Sequence, residues 1–333
     1  MIAMEDFPIR HIPATAQWSE NFCLAGYDPT SGIDLFLHIG RWRKDPLIWR
    51  ESVAIALPDG RVAVHRAIGS ARASDQGPGG PCLQMRVVED AQRLAWSFDG
   101  ATRLLPSEAL RAALPSDGPR ERTTLDLDFV GIAPLWDIGK AGQTTEFAGH
   151  GHTEQLGRVT GPIRIGDATF AFDGILNRDH SRGPRAFGQN LRHVWLHGYF
   201  ANGIGFELYE VEIEEGVPAF SEVAILDGGV LYEGRVDLHY RIPLVRGIDH
   251  VQHPISFTLH YEKGSLDIRV IRFPTTIYGQ ATTPNEIYLG MNGVEKDGKA
   301  GFVEQSADYL LNGEISGHGH LERLVPGQWI EEA

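Results

Sequence analysis

At 333 residues the chain can hold one large or two medium cores, and its 42% apolar and 22% charged residues are ordinary for a soluble globular protein. A formal net charge of −14 excludes wrapping a phosphate backbone or lying on anionic lipid, because both need clustered Lys and Arg. Two cysteines, Cys23 and Cys82, exclude a disulfide framework, and 39 Gly with 19 Pro favour turns and strands over long helices.

The N-terminal MIAMEDFPIRHIPA carries acids and no apolar run, so no signal peptide is expected there. No stretch approaches the roughly 18 apolar residues of a membrane span, and the expectation is a cytoplasmic protein with no nucleic-acid partner. From there period-two alternation dominates. SVAIALPDGRVAVHRAI (52–68), FAFDGIL (170–176), GIGFELYEVEIEEG (203–216), VDLHYRI (236–242) and ISFTLHYEKGSLDIRVIRF (255–273) all read as strands. The dipeptides Asp59-Gly60, Asp99-Gly100, Asp173-Gly174, Asn202-Gly203, Asp227-Gly228, Asn292-Gly293 and Asp297-Gly298 tolerate positive φ and predict tight hairpins. GSARASDQGPGGP (69–81) reads as a mobile loop and PSDGPRER (115–122) as a second break. Only SEALRAAL (107–114) reads as helical, closed by Pro115.

The chain repeats itself. GHGHTEQ (149–155) returns as GHGHLER (317–323), at an offset of 168. FCLAGYDPTSGIDLF (22–36) lies over VWLHGYFANGIGFEL (194–208) at an offset of 172, with Leu24, Gly26 and Tyr27 falling on Leu196, Gly198 and Tyr199. Two coherent offsets predict two β domains, 1–157 and 158–333, each ending on a GHGHxE strand. Closure into barrels, or face-to-face packing, would protect their edges. The fold class is therefore all-β, two tandem antiparallel barrels or sandwiches.

Three groups of residues can carry chemistry. On a strand His150, His152 and Glu154 share one face, as do His318, His320 and Glu322. Either trio suits Zn²⁺ or Fe²⁺, though same-face neighbours sit ~7 Å apart and small glycines fit close strand packing equally well. Next, GILNRDHSRGPR (174–185) runs an apolar strand into Arg178, Asp179, His180, Arg182 and Arg185, which need water, a ligand or one another. Asp179 and His180 could form a proton-transfer pair only if a bulge turned them to one side, and the arginines, with Arg192, suit an anionic or carbonyl-bearing substrate. A buried salt-bridge network explains them as well. Last, RHVWLHGYFANGIGFELYEVE (192–212) puts His193, Trp195, His197 and Tyr199 on one face, with Glu207, Tyr209 and Glu210 following. Such a face suits a lumen that holds an apolar ligand and moves a proton, or an aromatic core with two satisfied histidines. No dinucleotide, P-loop, nucleophile-elbow or H-E-x-x-H signature is present, so no cofactor is expected.

With G-x-G-x-x-E before the midpoint and R-D-H-S-x-G-P-R after it, the chain resembles the hydroxyneurosporene synthase (carotenoid hydratase) superfamily. That resemblance implies two lipocalin-like barrels and cofactor-free addition, elimination or rearrangement on a largely apolar small molecule. The family's D-H-x-W-G falls on Asp179, His180, Ser181, Arg182 and Gly183; Arg182 in place of tryptophan points away from a carotenoid-like substrate. The combined expectation is a lyase, hydratase or isomerase acting on an aromatic or terpenoid compound near the domain junction. In it Asp179, His180, Arg178 and Tyr199 are catalytic, and Arg182, Arg185, His193, Trp195, His197, Glu207 and Tyr209 hold substrate. The alternatives are a carrier of a hydrophobic ligand and a histidine-based metalloenzyme. A homodimer is compatible with either.

Overall fold

The computed structural model describes residues 6–12, 18–42, 45–70, 77–112, 114–115, 117–138, 151–184, 192–214, 217–237, 255–282, 286–291 and 299–326. The chain divides into two compact units, Met1–Ser107 with Pro115–Ala186, and Glu108–Leu114 with Phe187–Ala333. The expected junction at 157/158 therefore differs from the observed division: it falls in the middle of a 15-residue strand.

In the first unit the strands are β1 (Trp18–Asp28), β2 (Ile33–Trp42), β3 (Asp45–Ala56), β4 (Arg61–Ser70), β5 (Leu83–Glu89), β6 (Arg93–Pro106), β7 (Arg120–Gly131), β8 (Trp136–Asp137), β9 (Gly151–Ile165) and β10 (Ala168–Pro184). Eight of them close into an antiparallel barrel in the order β1-β2-β3-β4-β6-β7-β9-β10, with β10 returning to β1. The second unit holds β11 (Arg192–Phe200), β12 (Gly205–Glu214), β13 (Val217–Asp227), β14 (Val230–Val236), β15 (Ser256–Tyr261), β16 (Gly264–Arg272), β17 (Thr276–Thr282), β18 (Glu286–Leu289), β19 (Lys299–Leu311) and β20 (Ile315–Pro326). Its barrel runs β11-β12-β13-β14-β15-β16-β19-β20 and closes from β20 onto β11. Closure leaves neither barrel an open edge strand. Each is filled by inward-facing apolar residues, Leu24, Leu35, Val53, Trp96 and Phe129 in the first and Leu196, Leu208, Ile225, Ile268 and Tyr309 in the second.

The expected helix at 107–114 shortens to a 3-10 turn, Ser107–Arg111. Asp59-Gly60, Asn202-Gly203 and Asp227-Gly228 do make hairpins, with positive φ at their glycines. Asp99-Gly100 and Asp173-Gly174 do not; they run inside β6 and β10. There the glycine provides space: a Cβ at Gly100 would meet the Phe98 ring at 2.7 Å, and one at Gly174 the Tyr27 carbonyl oxygen at 2.8 Å. Asn292-Gly293, Asp297-Gly298 and the centre of the 69–81 loop lie outside the described residues, as does most of 236–242. No helix among the described residues is long and apolar enough to cross a membrane.

The repeat is shifted by one strand. FCLAGY and VWLHGY lie on β1 and β11, each the first strand of its barrel and each paired with the second and last strands. The two GHGH phrases are not equivalent: the described half of the first, Gly151-His152, begins the penultimate strand β9, whereas the second lies on the last strand β20. The glycines of the second phrase sit at the seam. A Cβ on Gly319 would stand 2.0 Å from the His197 carbonyl oxygen, and one on Gly317 2.4 Å from the Phe200 ring, so only glycine lets β20 approach β11.

Candidate functional site

GILNRDHSRGPR forms the far half of β10, and its register is unbroken from Ile175 to Arg182 against both β1 and β9. Side chains therefore alternate strictly. Leu176, Arg178, His180 and Arg182 face the interior with Phe22 and Leu24, and Asn177 and Asp179 face away. The expected Asp179–His180 pair is split by the sheet, because the bulge it needs does not form.

His180 is fully buried, stacked 3.9 Å from the Phe22 ring centroid, with Nε2 3.3 Å from Glu20 Oε1. Burial, only partly offset by Glu20, lowers the His180 pKa and keeps the ring neutral. Burial alone would raise the Glu20 carboxyl. Hydrogen bonds from His180 and from Arg41 Nε, the latter at 2.8 Å, outweigh it and hold Glu20 below the ordinary carboxylate range. Arg182 is half-buried on the same face, opposite Glu20. Arg178 is a clamp: its guanidinium pairs with buried Asp6 and donates from Nε and Nη2 to Gln155 Oε1, both at 3.1 Å. Arg185 lies outside the described residues, and of Arg192 only the backbone position on β11 is described.

Asp179 finds its imidazole across the barrel's outward face. His152 Nε2 lies 2.5 Å from Asp179 Oδ2 and 3.2 Å from Glu154 Oε1, and Asn177 Nδ2 donates to Glu154 Oε2 at 2.9 Å. All but Asp179 are almost fully buried. Burial works against a charged His152, but the two carboxylates outweigh it and raise its pKa to about 9. This raised pKa stabilises the fold fully below pH ~6.5, and the contribution, on the order of 3 kcal/mol at most, is lost as pH rises through about 9. Melting temperatures between pH 6 and 10 should fall across that window, and Asp179→Asn should flatten the fall; an unchanged slope in the variant would separate His152 from it.

The donor atoms of His152, Glu154 and Asp179 lie within 4.8 Å of one another, as do those of Glu51, His65 and Cys82. To ligate a cation His152 would have to release the proton that its carboxylates hold. Glu51 is committed otherwise: it accepts from the Cys82 and Leu83 amides and from His65 Nε2, fastening the start of β5. The other expected trio separates. His318 Nδ1 bonds Asp308 at 2.9 Å, His320 Nε2 bonds Glu304, and Glu322 pairs with His193 at 2.6 Å. His150 lies outside the described residues.

The face expected from 192–212 forms on the second barrel. His193, Trp195, His197 and Tyr199 alternate with the core residues Val194 and Leu196. β12 sets Glu207 opposite His197 and Tyr209 opposite Trp195, while β20 sets His320 and Glu322 opposite the same two residues. Every one of these is buried except half-buried Tyr199, although they face away from the apolar core. His197 stacks on His320 at 5.7 Å and meets the Trp195 ring edge at 5.9 Å. Both its ring nitrogens are buried with no hydrogen-bond partner among the described residues. Burial, helped by His320, pushes the His197 pKa well below the ordinary histidine value. The Tyr209 hydroxyl stands 3.5 Å from His193 Nδ1, whose other nitrogen meets Glu322. A neutral imidazole, buried carboxylates, a phenol and an indole on one face can bind an apolar molecule with a few polar groups and exchange a proton with it.

Sequence reasoning missed Glu304. It lies inside β19, fully buried, directly opposite Glu322, in a stretch that reads as ordinary alternation. The available signal was the recurrence of Glu-Gln at 154–155 and 304–305.

A family model described as a domain of unknown function, DUF7064, matches residues 6–305. The chain belongs to the DUF7064 family. No curated protein matches it. Among solved structures, this DUF7064 chain is similar to the NE1406 protein of Nitrosomonas europaea, which carries the provisional name AttH. The identity is 12%, 93% of each chain is covered, and the TM-score is 0.61. It is also similar to CghA in complex with Sch210972, at 10% identity over 93% of this chain and 89% of that one, with a TM-score of 0.54. Kievitone hydratase from Nectria haematococca matches at 9% identity over 92% and 88%, with a TM-score of 0.50. At these identities the likeness is one of fold, and the two-barrel architecture of the DUF7064 chain is shared along nearly the whole of each.

Proposed function

We propose that the outward face of the second barrel is a cofactor-independent acid–base site that adds water to, or removes it from, a largely apolar aromatic or terpenoid molecule. The observation that carries this reading is His197: two desolvated ring nitrogens without a partner among the described residues, on a face with Trp195, Glu207 and Tyr209. Such nitrogens cost ~1–3 kcal/mol each unless something polar reaches them, and a bound hydroxyl or water fits them. The indole and phenol rings supply apolar area and a negative π face for a developing cation. Kinship in fold with a protein named as a hydratase supports the same class, as does the resemblance to hydroxyneurosporene synthases.

On this reading His193, Trp195, His197, Glu207 and Tyr209 hold or protonate substrate, and Tyr199 lines the half-buried end. Asp179, His180, Arg178 and Arg182 then serve the first barrel's framework. The test is turnover of a panel of prenylated and aromatic alkenes and their tertiary alcohols in ¹⁸O-labelled water, followed by mass spectrometry. Incorporation of ¹⁸O into an alkene, or loss of water from an alcohol, with the intact protein, abolished in His197→Ala with an unchanged circular-dichroism spectrum, is the expected result. Recovery of bound but chemically unaltered ligand across the panel would make the protein a carrier instead.

A further inference from the structure

The two barrels carry the same polar frame. Cys23, Asp179 and Glu154 lie directly abreast on β1, β10 and β9 of the first; Trp195, Glu322 and Glu304 lie abreast on β11, β20 and β19 of the second. One step along, Asn177 donates to Glu154 in the first, and His320 bonds Glu304 in the second. The glutamine after each buried glutamate, Gln155 or Gln305, accepts from an arginine, Arg178 or Arg323. The frames differ in where the imidazole enters. In the first barrel His152 sits on the penultimate strand and touches both carboxylates. In the second that position is Phe302, and the imidazole is His193 on the first strand, where the first barrel has Asn21.

His193 meets Glu322 and His320 meets Glu304, and the two buried carboxyls stand directly opposite each other on adjacent strands. Among the described residues the titratable groups turned toward the pair are His320 on β20, His193 and His197 on β11, and Glu207 and Tyr209 on β12; β17 sets Ile277 against Glu304. Two carboxylates this close repel by ~4 kcal/mol at an effective dielectric of about 20, so a buried pair keeps one proton. We infer that Glu304 and Glu322 share a single proton at neutral pH and deliver it through His193 to Tyr209, as the proton donor of the second-barrel face. Burial first, and then the Glu322 charge, push the Glu304 carboxyl well above its ordinary value against the pull of His320.

The donor role rests on the reading of that face as catalytic, whereas the shared proton does not. In a hydration the relayed proton forms a C–H bond with the alkene π pair, a water oxygen forms the C–O bond at the resulting cation, and the proton released by that water returns to the carboxylates. Elimination runs the same steps backwards.

Carboxyl ¹³C resonances of glutamate-labelled protein, followed from about pH 5 to pH 9, test the pair directly. A single glutamate should remain protonated at pH 8 in the unmodified chain. That signal should vanish in Glu304→Gln and move to the ionised position in Glu322→Gln. A spectrum with only ionised carboxylates at pH 8 overturns the shared proton in the unmodified protein alone, whatever the variants do. With a substrate in hand, Glu304→Gln should lower kcat by about a hundredfold or more with KM little changed. Unchanged kcat beside a confirmed shared proton would remove the donor role and leave the pair.

Discussion

Arg178→Met is expected to cost the protein about 3–5 kcal/mol of unfolding free energy, read as a lowered urea midpoint. The guanidinium joins three parts of the first barrel. It pairs with Asp6 from the N-terminal segment and with Gln155 on β9, while standing on β10 itself. Asp6 in turn accepts from the Ala91 amide at 2.7 Å, and Gln155 Nε2 donates to the Ala91 and Ala133 carbonyls at 2.9 and 2.7 Å. Removing the arginine leaves a carboxylate buried without its counter-charge and a network short of its central donor. Asp6→Asn added to Arg178→Met should recover part of the loss, since the stranded charge goes with it. A loss below about 1 kcal/mol in the single variant would show that solvent reaches Asp6 and that the clamp is ornamental.

The second large effect is expected on turnover. Tyr209→Phe and His193→Ala should each lower kcat by about 10²–10⁴-fold, because each interrupts the proposed relay from the Glu304–Glu322 pair, at Tyr209 Oη and at His193 Nε2. Trp195→Ala should act differently and raise KM, since it removes contact area rather than a proton. Both are read from steady-state kinetics on whichever substrate of the alkene panel is turned over. If the two groups of variants changed KM alike and left kcat intact, the face would bind without catalysing.

The architecture was legible because period-two alternation is a direct print of the sheet, and because FCLAGY and VWLHGY repeat the strand on which each barrel closes. What misled was the more conspicuous repeat. GHGH recurs for two local reasons, an imidazole beside a carboxylate pair and glycines at a seam, and the two instances fall on strands that do not correspond. The reading of RDHSRGPR erred for a simpler reason. A run of ionisable residues concentrates attention, yet on an unbulged strand it sends half its members to each side, so Arg178 and His180 were bound to part from Asp179. Aromatic spacing served better: His193, Trp195 and His197 do share a face. Glu304 escaped notice because a buried carboxyl and a solvated one look alike in a strand pattern, and only its partner across the ladder tells them apart.

The entry of the imidazole from opposite sides of the frame has a consequence for recombination between the halves. Grafting the β9–β10 hairpin in place of β19–β20 would bring His152 to a barrel that already has His193, and two rings would flank one acid pair. The reciprocal graft would put Phe302 in the place of His152 beside a first strand that carries Asn21, so Glu304 would keep His320 while Glu322 would lose its imidazole. The halves are therefore not interchangeable parts, and a crossover between them yields one product with His152 and His193 crowding a single carboxylate and one whose last-strand carboxylate has no imidazole.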